Sequence, residues 1–289
     1  MIAVALFAAA SVNAMALPVR VADGASWNIT ADHSREVVRD GKTEGWSLRT
    51  EKRVTWRKGG VTHNTELTVT PLSATPGPGS PPELAAGRSF PTSVTIEVDD
   101  TVAPVGFVDP PAVRKAFADI VKRDLAGQTS MADAAAMAMI ASELAIASRG
   151  QDAPLVAGKP TAYEALLPGP LLGLQVSAKA VYALESHDPA TGRAVVTWKQ
   201  DVDPDSFKAG VAEFLKIVAK AKPQDLEKAR TELGAMTMTR TDSCRYTINL
   251  ASGLATNSEC TFITTVTSGA KTAKTTETWA VTQTLPEKS

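Results

Sequence analysis

The sequence predicts an α+β protein: extended antiparallel β-sheet with helices packed on one face, in two halves of similar strand-then-helix order. Three observations predict it. Long segments alternate, as Trp46, Leu48, Thr50, Lys52, Val54 and Trp56 do with Ser47, Arg49, Glu51, Arg53, Thr55 and Arg57, which is the period of a half-buried strand. Phe207, Val211, Phe214, Leu215 and Val218 instead recur at helical spacing and form one apolar face. Residues 71–91 and 151–173 are rich in Pro and Gly and interrupt both patterns. The chain then divides into a signal peptide over 1–16, an N-terminal part over 17–150 with β-hairpins and two helices, and a C-terminal α+β half over 151–289.

In chain order, Asp40-Gly41 turns a first hairpin between strands over 27–39 and 43–56. Gly59-Gly60 turns a second, in a register that sets Trp56 opposite His63, Val54 opposite Thr65 and Arg53 opposite Glu66. Lys52 falls on the apolar face with no local reason. Residues 71–91 read as a long exposed loop, and 93–98 as a strand. Asp109 then caps a helix opened by Pro110 and Pro111, with Val113, Phe117, Ile120 and Val121 on its buried side. A second helix runs from Thr129 or Ser130 to Arg149, carries Met131, Met137, Ile140 and Leu144 among alanines, and ends at Gly150.

Residues 151–173 are the best boundary between the halves. Strands follow over 174–184 and 194–200 around a turn at 188–192. Pro204 opens the helix of Phe207, Pro223 breaks it, and a shorter helix carries Leu226, Ala229 and Leu233. From Met236 to Leu285 the chain is Thr-rich and β throughout.

Cys244 and Cys260 are the chain's two cysteines. Tyr246, Ile248 and Leu250 alternate with polar neighbours, and a three-residue loop Ala251-Ser252-Gly253 closes a hairpin that pairs Leu250 with Leu254. That register sets Cys244 opposite Cys260 and predicts a disulfide, as a hydrogen-bonded pair with Cα atoms ~5.5 Å apart. Such a bond belongs to an oxidising compartment.

The N-terminus points the same way. Residues 1–10 are apolar and Ala14-Met15-Ala16 fits the small-x-small rule of signal cleavage, which places the mature start at Leu17, with Met15 as the alternative. The leader lacks the usual Lys or Arg before its apolar run. No later run reaches the ~18 apolar residues of a membrane span, and a formal charge of −1 gives no drive toward nucleic acid. The expected localisation is periplasmic or secreted, without a transmembrane segment in the mature chain.

Candidate chemistry is sparse. Asp201, Asp203 and Asp205 resemble the start of a calcium loop, but Ser206 and Ala212 stand where Gly and Glu are needed, so helix capping is the better reading. His33, His63 and His187 have no second ligand at metal spacing. Ser268 and Lys271 lack the partner motifs of a serine acyl-enzyme. Gly158-Lys159-Pro160-Thr161 lacks the first Gly of a phosphate loop. Asn28-Ile29-Thr30 is a glycosylation sequon, of little weight if the source is bacterial. Arg49, Arg53 and Arg57 beside Lys58 form a basic strand face opposite Trp46 and Trp56, best read as solvated. Trp27, Trp46, Trp56, Trp198 and Trp279 all fall in predicted strands, where core packing explains them. No catalytic residue, metal site or cofactor is expected.

Tyr182-Ala-Leu, Gly192-Arg-Ala-Val-Val-Thr-Trp198 and Tyr246-Thr-Ile-Asn-Leu-Ala-Ser-Gly253-Leu resemble uncharacterised secreted bacterial proteins of unknown function, over about residues 160–285. The resemblance implies export and an α+β build and carries no catalytic residues. Together these readings predict an exported, non-enzymatic binding or structural protein of the cell envelope, with an unknown envelope partner. A periplasmic carrier of an apolar ligand or lipid is the first alternative, motivated by the Ala/Met helix. A hydrolase with dispersed catalytic residues is the second.

Overall fold

In this computed structural model, residues 17–58, 65–80, 92–121, 129–151, 155–168, 175–221, 224 and 226–285 are described. Among them are eleven strands: β1 (Ser26–Arg39), β2 (Lys42–Lys58), β3 (Thr65–Pro76), β4 (Val94–Val98), β5 (Pro104–Phe107), β6 (Thr161–Pro168), β7 (Gln175–Asp188), β8 (Arg193–Val202), β9 (Met236–Asn249), β10 (Ala255–Ser268) and β11 (Lys271–Thr284). All join one antiparallel sheet in the order β5-β4-β3-β2-β1-β11-β10-β9-β8-β7-β6. The helices are α1 (Pro110–Val121), α2 (Thr129–Ile140), α3 (Ser142–Ser148), α4 (Pro204–Ala221) and α5 (Leu226–Gly234), with a 3₁₀ turn at Arg149–Gln151.

This overturns the α+β expectation. The molecule is one large β-sheet, and its few helices are connections rather than a layer. The run from α1 to the 3₁₀ turn carries the chain from β5 at one edge to β6 at the other, and α4 with α5 links β8 to β9. What sequence pattern cannot show is the pairing of β1 with β11, in which Asn28 lies opposite Thr284. That pairing makes a single sheet from strands at the two ends of the chain.

Strand also enters both Pro-rich passages. β3 runs on to Pro76, and β4 pairs with it only over Thr65–Val69. Pro71 and Pro76 therefore sit where β3 is an edge and need not donate outward. β6 lies within 151–173 as a terminal edge strand. Turn chemistry is read correctly at Asp40-Gly41, where both residues have positive φ (51° and 76°), as a two-residue hairpin turn requires. The Gly59-Gly60 turn lies outside the described residues, as does His63, and the register there is corrected: Trp56 faces Leu67, Val54 faces Val69 and Arg57 faces Glu66.

Period-2 burial gives the sheet an inner and an outer face. Trp27, Ile29, Ala31, Val54, Leu67, Ile96, Tyr182, Val196, Trp198, Tyr246 and Val281 are buried on the inner face with Leu144, Ala147 and Phe117 from the helices. Asp109 Oδ1 accepts the Ala112 amide at 3.1 Å and caps α1. The predicted long second helix is interrupted at Ala141 (φ −127°, ψ 15°), between α2 and α3. The cause is Lys52. Its Nζ donates to the carbonyls of Ile140 (2.8 Å) and Met139 (3.2 Å) and to Glu143 Oε2 (2.5 Å), while Thr50 Oγ1 donates to Glu143 Oε1 (2.8 Å). An ammonium at the end of α2 meets the negative end of its dipole. Gly150 follows because the chain crosses over Tyr246 so closely that a Cβ would lie 2.6 Å from the ring.

Cys244 and Cys260 stand opposite each other and are bonded, with Cα atoms 4.1 Å apart. That spacing belongs to a non-hydrogen-bonded pair rather than the hydrogen-bonded pair expected. The loop also differs. Asn249 bonds Leu254, so four residues turn the chain, and a bulge between Ala255 and Asn257 restores the register before the cysteines. Gly253 holds a φ of 73° with the Pro18 carbonyl beneath it, and Arg20 N donates to Ser252 O (2.7 Å). Leu17, Val19 and Val21 pack against the core there. Residues 1–16, where a signal peptide is expected, lie outside the described residues.

Candidate functional site

One row of inner-face positions brings charged, amide and aromatic side chains into line across the sheet. The ladder pairs Trp46, Arg35, Glu277, Phe262, Asp242, Gln200, Ala180 and Tyr163 in succession, from β2 to β6. Asp242 is buried, accepts from Arg240 Nε (2.9 Å) and takes the Gln200 amide at 3.2 Å. Arg149, from the 3₁₀ turn, lays its guanidinium over Trp198 at 4.6 Å and Phe262 at 5.7 Å. Its carbonyl accepts the Tyr182 hydroxyl at 2.5 Å.

His33 lies next to this row, stacked on Trp279 with centroids 3.6 Å apart and edge-on to Trp46 at 4.7 Å. Its Nε2 is 2.7 Å from Glu277 Oε1, which also accepts from Trp279 Nε1 at 2.9 Å, while buried His33 Nδ1 has no partner among the described residues. Burial alone pushes the Glu277 carboxyl up; the bonds from His33 and Trp279, with the charges of His33 and Arg35, outweigh it and hold the group below the usual range. A depressed carboxyl stabilises the fold above its unfolded-state pKa and loses that contribution as pH falls through the folded value. The stability gap between wild type and Glu277→Gln is therefore expected to narrow in acid, as measured by thermal melts from neutral pH downward. A constant gap would show that the charged form of Glu277 contributes nothing.

Beyond the row the inner face changes character. A second apolar cluster of Val176, Ala178, Val202, Phe207, Val211 and Met238 stands apart from the main core under α4. Leu167, Leu215, Leu233, Met236 and Val266 pack on it but are only half-buried. Phe207 and Val211 are buried, whereas Phe214, Leu215 and Val218 are half-buried. A crevice of about 210 Å³ opens among Val211, Ala212, Leu215, Leu233 and Met236, with Lys208 at its rim. Under α3, by contrast, the space beside Leu144 and Leu254 is about 10 Å³.

The sequence candidates are dispersed. Asp203 caps α4 by accepting the Asp205 amide (3.0 Å), and Asp201 accepts the Thr241 hydroxyl (2.7 Å). His187 is exposed beside the 188–192 turn. Ser268 and Lys271 flank the Gly269 turn. Lys159 N donates to Val156 O in a tight turn. Asn28 Oδ1 accepts from Arg53, and Arg49 pairs with Asp32 at 2.9 Å, so this basic face is partly neutralised. All five tryptophans lie in strands. Among the described residues no three His, Cys, Asp or Glu side chains converge as a metal would need. Sequence reasoning missed Gln200, Asp242 and Glu277, whose common row emerges only from the register, and Arg149, which reaches that row from the 3₁₀ turn.

No protein-family profile matches this chain, and no curated protein does. A solved structure described as "lipid-protein interactions in lipovitellin" is similar over 93% of this chain at 11% identity, with a TM-score of 0.43; the match takes in 26% of that chain. The intramolecular disulfide fits an exported protein, and among the described residues no helix is long and apolar enough to cross a membrane.

Proposed function

We propose that this chain is an exported binding protein of the cell envelope that carries an apolar ligand in the crevice under α4 and α5. One observation carries the reading: the second apolar cluster is left half open, with about 210 Å³ unfilled at its edge. Cores otherwise pack to near-crystalline density, so unfilled apolar space beside half-buried apolar side chains favours an occupant. The volume is below the ~300 Å³ of the smallest drug-sized sites, and suits a single hydrocarbon chain whose remainder lies along Val266 and Met236. The disulfide supports export. Asp242 and Glu277 are held by Arg240 and His33, an arrangement that favours positioning over acid-base turnover.

Native mass spectrometry of protein purified from its own envelope is expected to show an added lipid-like mass. Ala212→Trp, at an exposed position on the crevice wall, is expected to remove that mass with the thermal melt unchanged. A bare polypeptide mass in the wild type, or ligand retained by Ala212→Trp, would overturn the reading.

A further inference from the structure

The outer face carries a larger feature. A trough of about 780 Å³ crosses β2, β1, β11, β10, β9 and β8. Its floor is the main chain of Leu48, His33, Trp279, Cys260, Cys244 and Trp198, whose side chains point to the inner face. One bank is Ser47, Ser34, Thr278, Thr261, Ser243 and Lys199. The other is Arg49, Asp32, Ala280, Glu259, Arg245 and Thr197. Thr75, Pro76 and Gly77 close one end, where Gly77 N donates to Ser47 O at 2.8 Å. Strand spacing makes the trough roughly 24 Å long.

Its chemistry narrows the occupant. Arg49 is paired with Asp32 at 2.9 Å and Arg245 with Glu185 at 3.1 Å, and Lys199 and Glu259 offset each other in sign. A polyanion or polycation therefore gains little here. The aromatic side chains that touch the trough face away from it, so an occupant meets main chain and the side chains of the two banks. What remains is a ladder of hydroxyls repeating at each strand, and Ser243, Thr261 and Thr197 spend no side-chain hydrogen bond on another described residue. We infer that this trough binds an extended, uncharged glycan strand. Strand spacing is close to the length of one sugar ring, so successive rings meet one hydroxyl from each successive strand. The site is on the opposite face from the apolar crevice and stands independently of it.

The test uses the full mature protein and two neutral probes, chitohexaose and cellohexaose, by isothermal titration, with an uncharged extended peptide and a heparin hexasaccharide as competitors for the reading. Saturable binding of at least one neutral hexasaccharide is expected. Thr261→Trp, which fills the trough from a solvent-facing position, is expected to weaken it about tenfold or more, and Thr239→Trp, on the same face outside the trough, to leave it unchanged. Absence of binding by both neutral probes, preference for the peptide or heparin, or equal affinity in Thr261→Trp would overturn the inference.

Discussion

Lys52→Met is expected to cost the fold about 3–5 kcal/mol, the usual cost of leaving one member of a buried ion pair alone. Lys52 and Glu143 are about as deeply buried as the surrounding apolar core, and the ammonium also satisfies the Met139 and Ile140 carbonyls. Its loss strands a carboxylate and two carbonyls together. Lys52→Met with Glu143→Leu removes both charges and is expected to recover more than half of that loss, because two desolvation penalties disappear with the attraction. Urea unfolding followed by circular dichroism measures both, and near-additive losses in the double variant would show that the pair is not coupled. The consequence is specific to this fold, since Lys52 is what fixes the end of α2 over β2.

Replacing Cys244 and Cys260 together by Ala is expected to lower stability by about 2–4 kcal/mol. The sequence separation of 16 closes a modest loop, for which chain entropy accounts for about 3 kcal/mol. The ladder on both sides of the cysteines continues without them, through Tyr246 opposite Ser258 and Asp242 opposite Phe262. The variant should therefore stay folded and unfold at lower denaturant, with a slope no smaller than that of the wild type because its unfolded chain is less constrained. An unchanged midpoint, in wild type treated with reductant as well as in the variant, would mean that the bond contributes nothing to the native state.

Local pattern made most of the strands legible. Alternation marked β1, β2, β7 and the last three strands, and Asp109 and Asp203 marked helix starts by capping chemistry that acts within a few residues. The failures are all non-local. Pro71 looked like the start of a loop because nothing in the sequence says that β3 has a free edge there. β6 was hidden for the same reason. Lys52 was an exception to its strand until Glu143, far along the chain, supplied the partner. The cysteine register came out right through two errors that cancel, a loop one residue longer and a bulge that compensates. The polar row was invisible because its members come from strands whose order, and hence whose alignment, depends on β1 meeting β11.

That meeting also orders events in time. Neighbours in the sheet are neighbours in the chain everywhere except at its middle, where Trp27 Nε1 donates to Gln283 Oε1 across 256 positions at 2.7 Å. Joining the outer end of β11 to the start of β1 and opening the helical crossover would leave a plain meander. In the natural order, the edge of β1 stays bare until β11 has been made. The central contact has the greatest sequence separation in the sheet and is the slowest kind to close by loop-closure entropy. A chain crossing a membrane from its N-terminus would hold that edge open for almost its whole passage.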